Sequence, residues 1–369
     1  LPNPSRVFSG KWQDLNKWIA PNGMLYKILA VLSFSLFLTG LPLLIMRVIF
    51  PLQVGQGEAI NVEFARTLAQ GRSLYHDPSQ APFLYPAYPP LFPWLQSLLM
   101  GLIPNPWLPG RLLAFGGYLA CVFLIFLWGR RRWEWPLAIL LSGLFGSFPT
   151  WALWGTMDRC DALYLFLYFS AFLLLLEDEI EYSVHEMGRK GHWVRIACGG
   201  ILAALAVGCK QNGLELWLVY GIFCIVEKQL KKFSWFMLFS LPPIGVLFGI
   251  EQWRSGGVFL KYVFLWLDTG ISWDNFFYYF FHLFLREGGA LSVIVGLLLW
   301  EKKLSLFLRL QILVSFLSLL SLTRAMSAEN YFMEFFLFGI FLTGEGLTAP
   351  DRVRHTLLFG PKGCFRVSW

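Results

Sequence analysis

Residues 25–50 read LYKILAVLSFSLFLTGLPLLIMRVIF, and residues 51–58 follow as PLQVGQGE. The first stretch holds only Lys27 and Arg47 as charges. It exceeds the roughly 20 residues that a helix needs to cross a bilayer. It is too long for a secretory signal, lacks a small-residue cleavage site and follows a polar segment containing Lys11 and Lys17. It therefore reads as a retained membrane helix. The polar break after it, ending in Glu58, marks the first outer loop.

The rest of the chain repeats this pattern. Further apolar runs lie at 108–129, 135–152, 160–176, 194–209, 212–227, 233–250, 287–300, 304–322 and 331–348. With the first, they predict an all-α polytopic membrane protein, a bundle of about ten transmembrane helices. Pro242 and Pro243 are expected to kink a span rather than break it. Of the 369 residues, 56% are apolar, 18% aromatic and 14% charged, against about 25% charged in a soluble domain. So few charges cannot cover a water-facing surface, which excludes a soluble enzyme, a disordered tail and a nucleic-acid binder. The six cysteines, at 121, 160, 198, 209, 224 and 364, show no metal-like or redox-like spacing.

The net charge of +7 reads as topology, because Lys and Arg collect in cytoplasmic loops. With the N terminus inside, Arg130, Arg131, Arg132, Arg189, Lys190, Lys228, Lys231, Lys232, Lys302 and Lys303 fall on the cytoplasmic face. The expected plan is a cytoplasmic segment at 1–24, a membrane domain at 25–348 and a cytoplasmic tail at 349–369. Two long outer segments, 51–107 and 251–286, are rich in aromatics, and the first is expected to carry amphipathic helices lying in the membrane interface.

Under this topology the polar residues concentrate at the outer face. Glu58 can accept a proton from an attacking hydroxyl or ligate a hard cation. Tyr85-Pro86-Ala87-Tyr88-Pro89-Pro90 is a stiff extended segment that suits an interfacial anchor or the wall of a sugar-lipid groove. Asp158-Arg159-Cys160-Asp161 sets two acids and a guanidinium at a membrane boundary, where such groups are costly unless paired or functional. Lys210-Gln211-Asn212-Gly213 offers a point charge for phosphate and amides for sugar hydroxyls. Arg324 is a second phosphate candidate, and Asn330 and Glu334 share a helix face. Asp158 and Asp161 are the residues that could hold a divalent cation. Walker, HExxH and dinucleotide motifs are missing, and the five histidines do not cluster.

Together these constellations resemble the integral-membrane glycosyltransferases of the GT-C superfamily, in the branch of dolichyl-phosphate-mannose protein mannosyltransferases and aminoarabinose-type lipid glycosyltransferases. Gly57-Glu58, Asn61-x-x-x-Ala65-Arg66-x-Leu68-x-x-Gly71-x-x-Leu74-Tyr75 and Tyr88-Pro89-Pro90-Leu91 resemble the opening of that family. Arg159-x-Asp161-Ala162-Leu163, Lys210-Gln211-x-Gly213-Leu214 and Asn330-Tyr331-x-x-Glu334 resemble its later motifs. The family often carries Asp-Glu where this chain has Gly57-Glu58.

The resemblance implies a GT-C-like helical bundle in a bacterial cytoplasmic membrane and an inverting transfer at its outer face. The donor would be a sugar on a polyprenyl phosphate, and the acceptor a glycan, lipid or protein hydroxyl. Glu58 would be the base, with Asp161 and Arg159 beside it. Lys210, Gln211, Arg324, Asn330 and Tyr88 would hold the donor. A divalent cation is a possible cofactor. The alternatives are a transporter or polymerase-like protein for lipid-linked saccharides and a non-catalytic subunit of a membrane complex.

Overall fold

The computed structural model describes residues 23–55, 57–77, 85–184, 191–265, 270–299, 304–324 and 327–359. The segment expected at 1–24 lies outside these but for residues 23 and 24. Of the expected tail, only the backbone of 349–359 is described. The regular elements among the described residues are all helices, apart from an isolated antiparallel bridge between Ile271 and Arg324.

Among the described residues, six helices are long and apolar enough to cross a membrane: α1 (Met24–Ile49), α4 (Leu108–Arg132), α8 (Gly191–Cys209), α10 (Leu230–Arg254), α11 (Trp273–Leu299) and α12 (Leu306–Thr323). Only 11% of the most apolar window of α1 is buried in the protein. Val31, Leu32, Leu43 and Met46 stand more than half exposed. Apolar area left in water costs about 25 cal/mol per Å², so such a helix is stable only against lipid.

The expectation of about ten spans is corrected by this count. The run 135–152 is divided between α5 (Trp135–Ser147) and α6 (Pro149–Trp154), because Pro149 cannot continue the preceding ladder. The run at 160–176 sits in α7 (Asp161–Val184), whose uncharged part is confined between Asp161 and Glu177. The run at 212–227 gives α9 (Leu214–Val226), only 13 residues long. The last run begins α13 (Phe332–Phe359) and carries Glu334 and Glu345. The sequence windows counted apolar residues, whereas a span needs an unbroken apolar helix. The later part of the expected outer segment 251–286 is likewise continuous with α11, through a π-helical stretch at Tyr278–Phe284.

The bundle is held by aromatic packing. α7 lies along α4 and α8, α8 along α10, and α1 along α5. The ring of Phe172 on α7 meets Phe307 of α12 at 4.8 Å, and Phe338 and Phe341 of α13 at 4.9 and 5.9 Å. Edge-to-face contacts of this kind stabilise beyond their buried area. In the first outer loop, α2 (Glu58–Ala69) packs on α3 (Leu91–Met100). Tyr75 pins the loop by donating its hydroxyl to the Tyr88 carbonyl (2.7 Å) and packing on Phe259.

Polar groups gather at two opposite ends of the bundle. At one, Lys232 donates to Asp178 (2.9 Å), Ser305 to Glu179 (2.6 Å), and the indoles of Trp128 and Trp133 to Glu345 (3.0 and 2.8 Å). The other holds Glu58, Asp158, Asp161, Lys210 and Asn330. The loop-charge expectation would set the first end at the cytoplasm. In a cysteine-free background, exposed Gln70→Cys should react with a membrane-impermeant maleimide in right-side-out vesicles, and exposed Lys228→Cys only after detergent is added. The reverse pattern would invert the orientation.

Candidate active site

The outer end is organised around Glu58. Gly57 precedes α2 in the left-handed region (φ 83°), and a Cβ there would lie 2.9 Å from the Arg159 guanidinium, so glycine is the residue that fits. The Glu58 side chain is fully buried. One oxygen accepts from Arg111 Nε (2.9 Å) and the Asp158 backbone N–H (2.8 Å). The other accepts from Arg111 Nη2 (2.8 Å) and the N–H groups of Val54 and Gly55 (2.8 and 3.3 Å). Burial pushes the carboxyl up, but the hydrogen bonds from Arg111, Asp158 and Val54 outweigh it and hold Glu58 below its ordinary range.

Arg111 enters from α4, is also fully buried, and donates to the carbonyls of Phe50 (2.6 Å) and Leu52 (2.7 Å). One guanidinium thus satisfies the chain leaving α1 and neutralises the acid that opens α2.

Asp158 lies alongside. Its Oδ2 accepts from Gln96 of α3 (2.6 Å). Its Oδ1, buried and without a hydrogen-bond partner, fills the place a Cβ on Gly110 would take, 2.0 Å away. Burial first, and the Glu58 charge after it, lift Asp158 well above the usual carboxylate range.

Three residues on, Asp161 starts α7. Its Oδ1 accepts from Lys210 Nζ (2.7 Å) and Asn330 Nδ2 (2.8 Å). Its Oδ2 is buried with no hydrogen-bond partner, and Arg159 Nε stands 3.8 Å from it. Lys210 occupies the irregular link between α8 and α9, 4.6 Å from the ring centre of Tyr331 and 5.8 Å from those of Tyr88 and Tyr164. Burial opposes its charge, but Asp161 and the tyrosines outweigh burial and keep it protonated. Arg159 lies over Trp154 (5.0 Å) and is one-fifth exposed. Narrow clefts flank the Asp161–Arg159 pair. One is lined by Asn61, Tyr88, Arg159 and Cys160, the other by Asp161, Lys210, Asn212, Ser318, Asn330 and Glu334.

The sequence-selected residues are thus brought together in part. Asp161, Lys210 and Asn330 are in direct contact, Arg159 and Tyr88 stand beside them, and Glu58 is linked to them through Asp158. Gln211 reaches the Ala87 carbonyl (3.4 Å). Arg324 is exposed, and among the described residues only its backbone is engaged, with Asn275 and at the bridge to Ile271. Arg111, Gln96 and Glu215 escaped the sequence reading. The signal for Arg111 and Glu215 was an ionisable residue within an apolar run.

Among the described residues, no group of three or more His, Cys, Asp or Glu side chains is placed to hold a metal ion. The pair Asp158 and Asp161 fits a divalent cation poorly. Burial raises the pKa of Asp158, which weakens it as an anionic ligand, and the free oxygen of Asp161 faces a guanidinium. No step below runs through a metal.

The sequence matches no family model and no curated protein. Its fold is similar to that of ArnT from Cupriavidus metallidurans. The apo structure matches with a TM-score of 0.62 and 15% identity over 88% of this chain and 59% of that chain. The structure bound to undecaprenyl phosphate matches with a TM-score of 0.63 and 15% identity over 85% and 60%. ArnT is a lipid-linked sugar transferase of the GT-C superfamily, and the likeness at this identity is one of fold. The chain spans about three-fifths of ArnT's length.

Arg111→Met should strand the Glu58 charge and two carbonyls in a buried site. The expected cost is roughly 3–5 kcal/mol, read as a lower midpoint in thermal unfolding in detergent. Because Glu58 is held below its unfolded value near 4.5, its contribution is complete above that pH and lost as pH falls through the lower folded value. Acidification should therefore destabilise the parent more than Arg111→Met.

Proposed function

We propose that the protein is a membrane glycosyltransferase that moves a sugar from a polyprenyl-phosphate donor to a hydroxyl acceptor at the outer face. The observation that carries this reading is the buried Asp161–Lys210–Asn330 cluster, which has one open carboxylate oxygen and a second cation beside it. The fold shared with ArnT, one structure of which holds undecaprenyl phosphate, supports the donor class. The acceptor class, a glycan, lipid or protein hydroxyl, is kept from the sequence reading.

In this reading Lys210 and Arg159 bind the donor phosphate, and Tyr88 and Tyr331 flank it. Asp161 Oδ2 takes the proton of the acceptor hydroxyl. The acceptor oxygen forms a bond to the anomeric carbon, the bond from that carbon to the phosphate oxygen breaks, and the lipid phosphate leaves with the electron pair. The single displacement inverts the configuration. As Lys210 turns toward the phosphate, Asp161 loses part of its pairing and becomes the stronger base when the proton must move. The developing phosphate charge is stabilised by Lys210, once turned to it, and by Arg159 beside it. Glu58, with every lone pair engaged, acts as the anchor of the loop rather than as the base. The outer orientation rests on the distribution of basic residues.

The test is a transfer assay in proteoliposomes with a panel of undecaprenyl-phosphate sugars. Asp161→Asn should lower turnover by roughly 10²–10⁴. Lys210→Ala should weaken donor binding and slow transfer together. Glu58→Gln should lower the yield of folded protein more than the turnover of what folds. An active Asp161→Asn beside a folded but inactive Glu58→Gln would return the base to Glu58. No turnover by the parent with any donor, together with movement of lipid-linked sugar across the vesicle membrane, would favour a transporter.

A further inference from the structure

The two clefts beside Arg159 differ in character. The one toward Asp161 is lined mostly by polar side chains. The other is walled by Phe64, Leu74, Pro86, Pro89, Phe92 and Pro93, and Arg159 is the charged residue in its lining. Arg159 has donors to spare. Its Nε stands 3.8 Å from Asp161 Oδ2 and its guanidinium lies 5.0 Å from the Trp154 ring centre. Among the described residues its side chain makes no hydrogen bond, and it is one-fifth exposed. Its fork is therefore open to a phosphate oxyanion.

The apolar wall is built in advance. Tyr75 donates its hydroxyl to the Tyr88 carbonyl (2.7 Å), and Gln211 donates its amide to the Ala87 carbonyl (3.4 Å). The prolines fix their own backbone. A segment that served only to anchor the loop in the interface would turn its apolar groups to lipid. Here Pro86 and Pro89 are buried, Phe92 is 2% exposed, and all three line the cleft. The cleft is also thin. Its closed part is about 30 Å³ within about 380 Å³ of partly open space. A hydrocarbon chain can enter such a slot end-on. A sugar ring is broader, and its hydroxyls would find few partners on these walls.

We propose that this slot holds the first isoprene unit of the donor lipid, with the phosphate seated on Arg159. The inference rests on the glycosyltransferase reading and adds the place where the donor's chain is recognised. A polyprenyl phosphate needs a cation at its oxygens and apolar walls beside its first carbons, and the two meet at Arg159. The sugar, on the far side of the phosphate, is then directed toward Asp161 and Lys210. Pro86, Pro89, Phe92 and Pro93 are specificity residues in this assignment and take no part in bond making.

The experiment measures binding to the purified full chain in nanodiscs by saturation-transfer difference NMR, with empty nanodiscs as the blank. The probes are methyl phosphate and dimethylallyl phosphate, which carries one isoprene unit. The parent should bind dimethylallyl phosphate roughly 10-fold or more tighter than methyl phosphate, from the apolar carbons it buries. Pro93→Phe fills the slot and should remove most of that gain, leaving methyl phosphate within about 2-fold. Arg159→Ala should weaken both. Thermal unfolding identifies a Pro93→Phe that fails to fold, in which case Pro93→Leu replaces it with the same expected pattern. Equal binding of the two probes by the parent, or a full gain in the folded Pro93 variant, overturns the proposal. Undecaprenyl phosphate built into the nanodisc should displace dimethylallyl phosphate. A gain that it does not compete away leaves the slot an isoprenyl-phosphate site and overturns the donor reading beneath it.

Discussion

The pairing of Arg111 with Glu58 is the constraint on which the outer half of the molecule depends. A guanidinium in a helix of this hydropathy is costly unless its donors are filled, and a buried carboxylate is costly unless it is neutralised. Each group removes the other's penalty. Arg111 has further donors to spare, and they reach the chain leaving α1 at Phe50 and Leu52. The exit of α1, the start of α2 and the outer end of α4 are therefore fixed to one another by a single side chain. The Asp158 N–H then donates to the same carboxylate, so the link entering α7 is set by it too, and Asp161 is placed three residues later.

Much of this was legible in the sequence, and the limits have physical causes. The membrane class followed from composition, because apolar area that water cannot tolerate has to face lipid. The polar clusters at one end followed from the rule that charges cluster where lipid does not reach. The span count did not follow. Windows of apolar residues cannot see that Pro149 divides a run, that Asp161 and Glu177 bound another closely, or that residues 273–299 form one helix across a predicted boundary. Lys210, Asp161 and Asn330 were readable as separate motifs, but their contact is a tertiary fact. Arg324 looked equivalent to Lys210 by depth and charge, and it stands exposed because the extended backbone at the Ile271 bridge turns it away from the cluster. Arg111 lay in plain view inside the run 108–129 and was not singled out.

The two ends of the bundle show the same physics put to different use. At the inner end, Asp178 accepts from the Lys232 ammonium and Glu345 from the indoles of Trp128 and Trp133. At the outer end the accounting is deliberately incomplete, since Asp158 Oδ1 and Asp161 Oδ2 lack hydrogen-bond partners. Burial raises the pKa of Asp158, which favours its uncharged form. Asp161 sits against Lys210 and Arg159, and its Oδ2 is left without a hydrogen bond.

That contrast also accounts for the departure at Gly57, where the resembling family often has an Asp. In this chain the backbone at 57 is left-handed, a conformation that favours glycine, and the Arg159 guanidinium lies 2.9 Å from where a Cβ would stand. Arg159 fills the space from the far side, packed on Trp154 and drawn toward Asp161. A carboxylate at 57 would compete with Asp161 for the same guanidinium and would add a third acid next to Glu58 and Asp158. With glycine there, the negative charge that faces Arg159 is that of Asp161 at the head of α7. On a helix, backed by Lys210 and Asn330, that charge is positioned by rigid elements instead of a turn. This is the physical reason for assigning proton transfer to Asp161 while Glu58 remains the anchor.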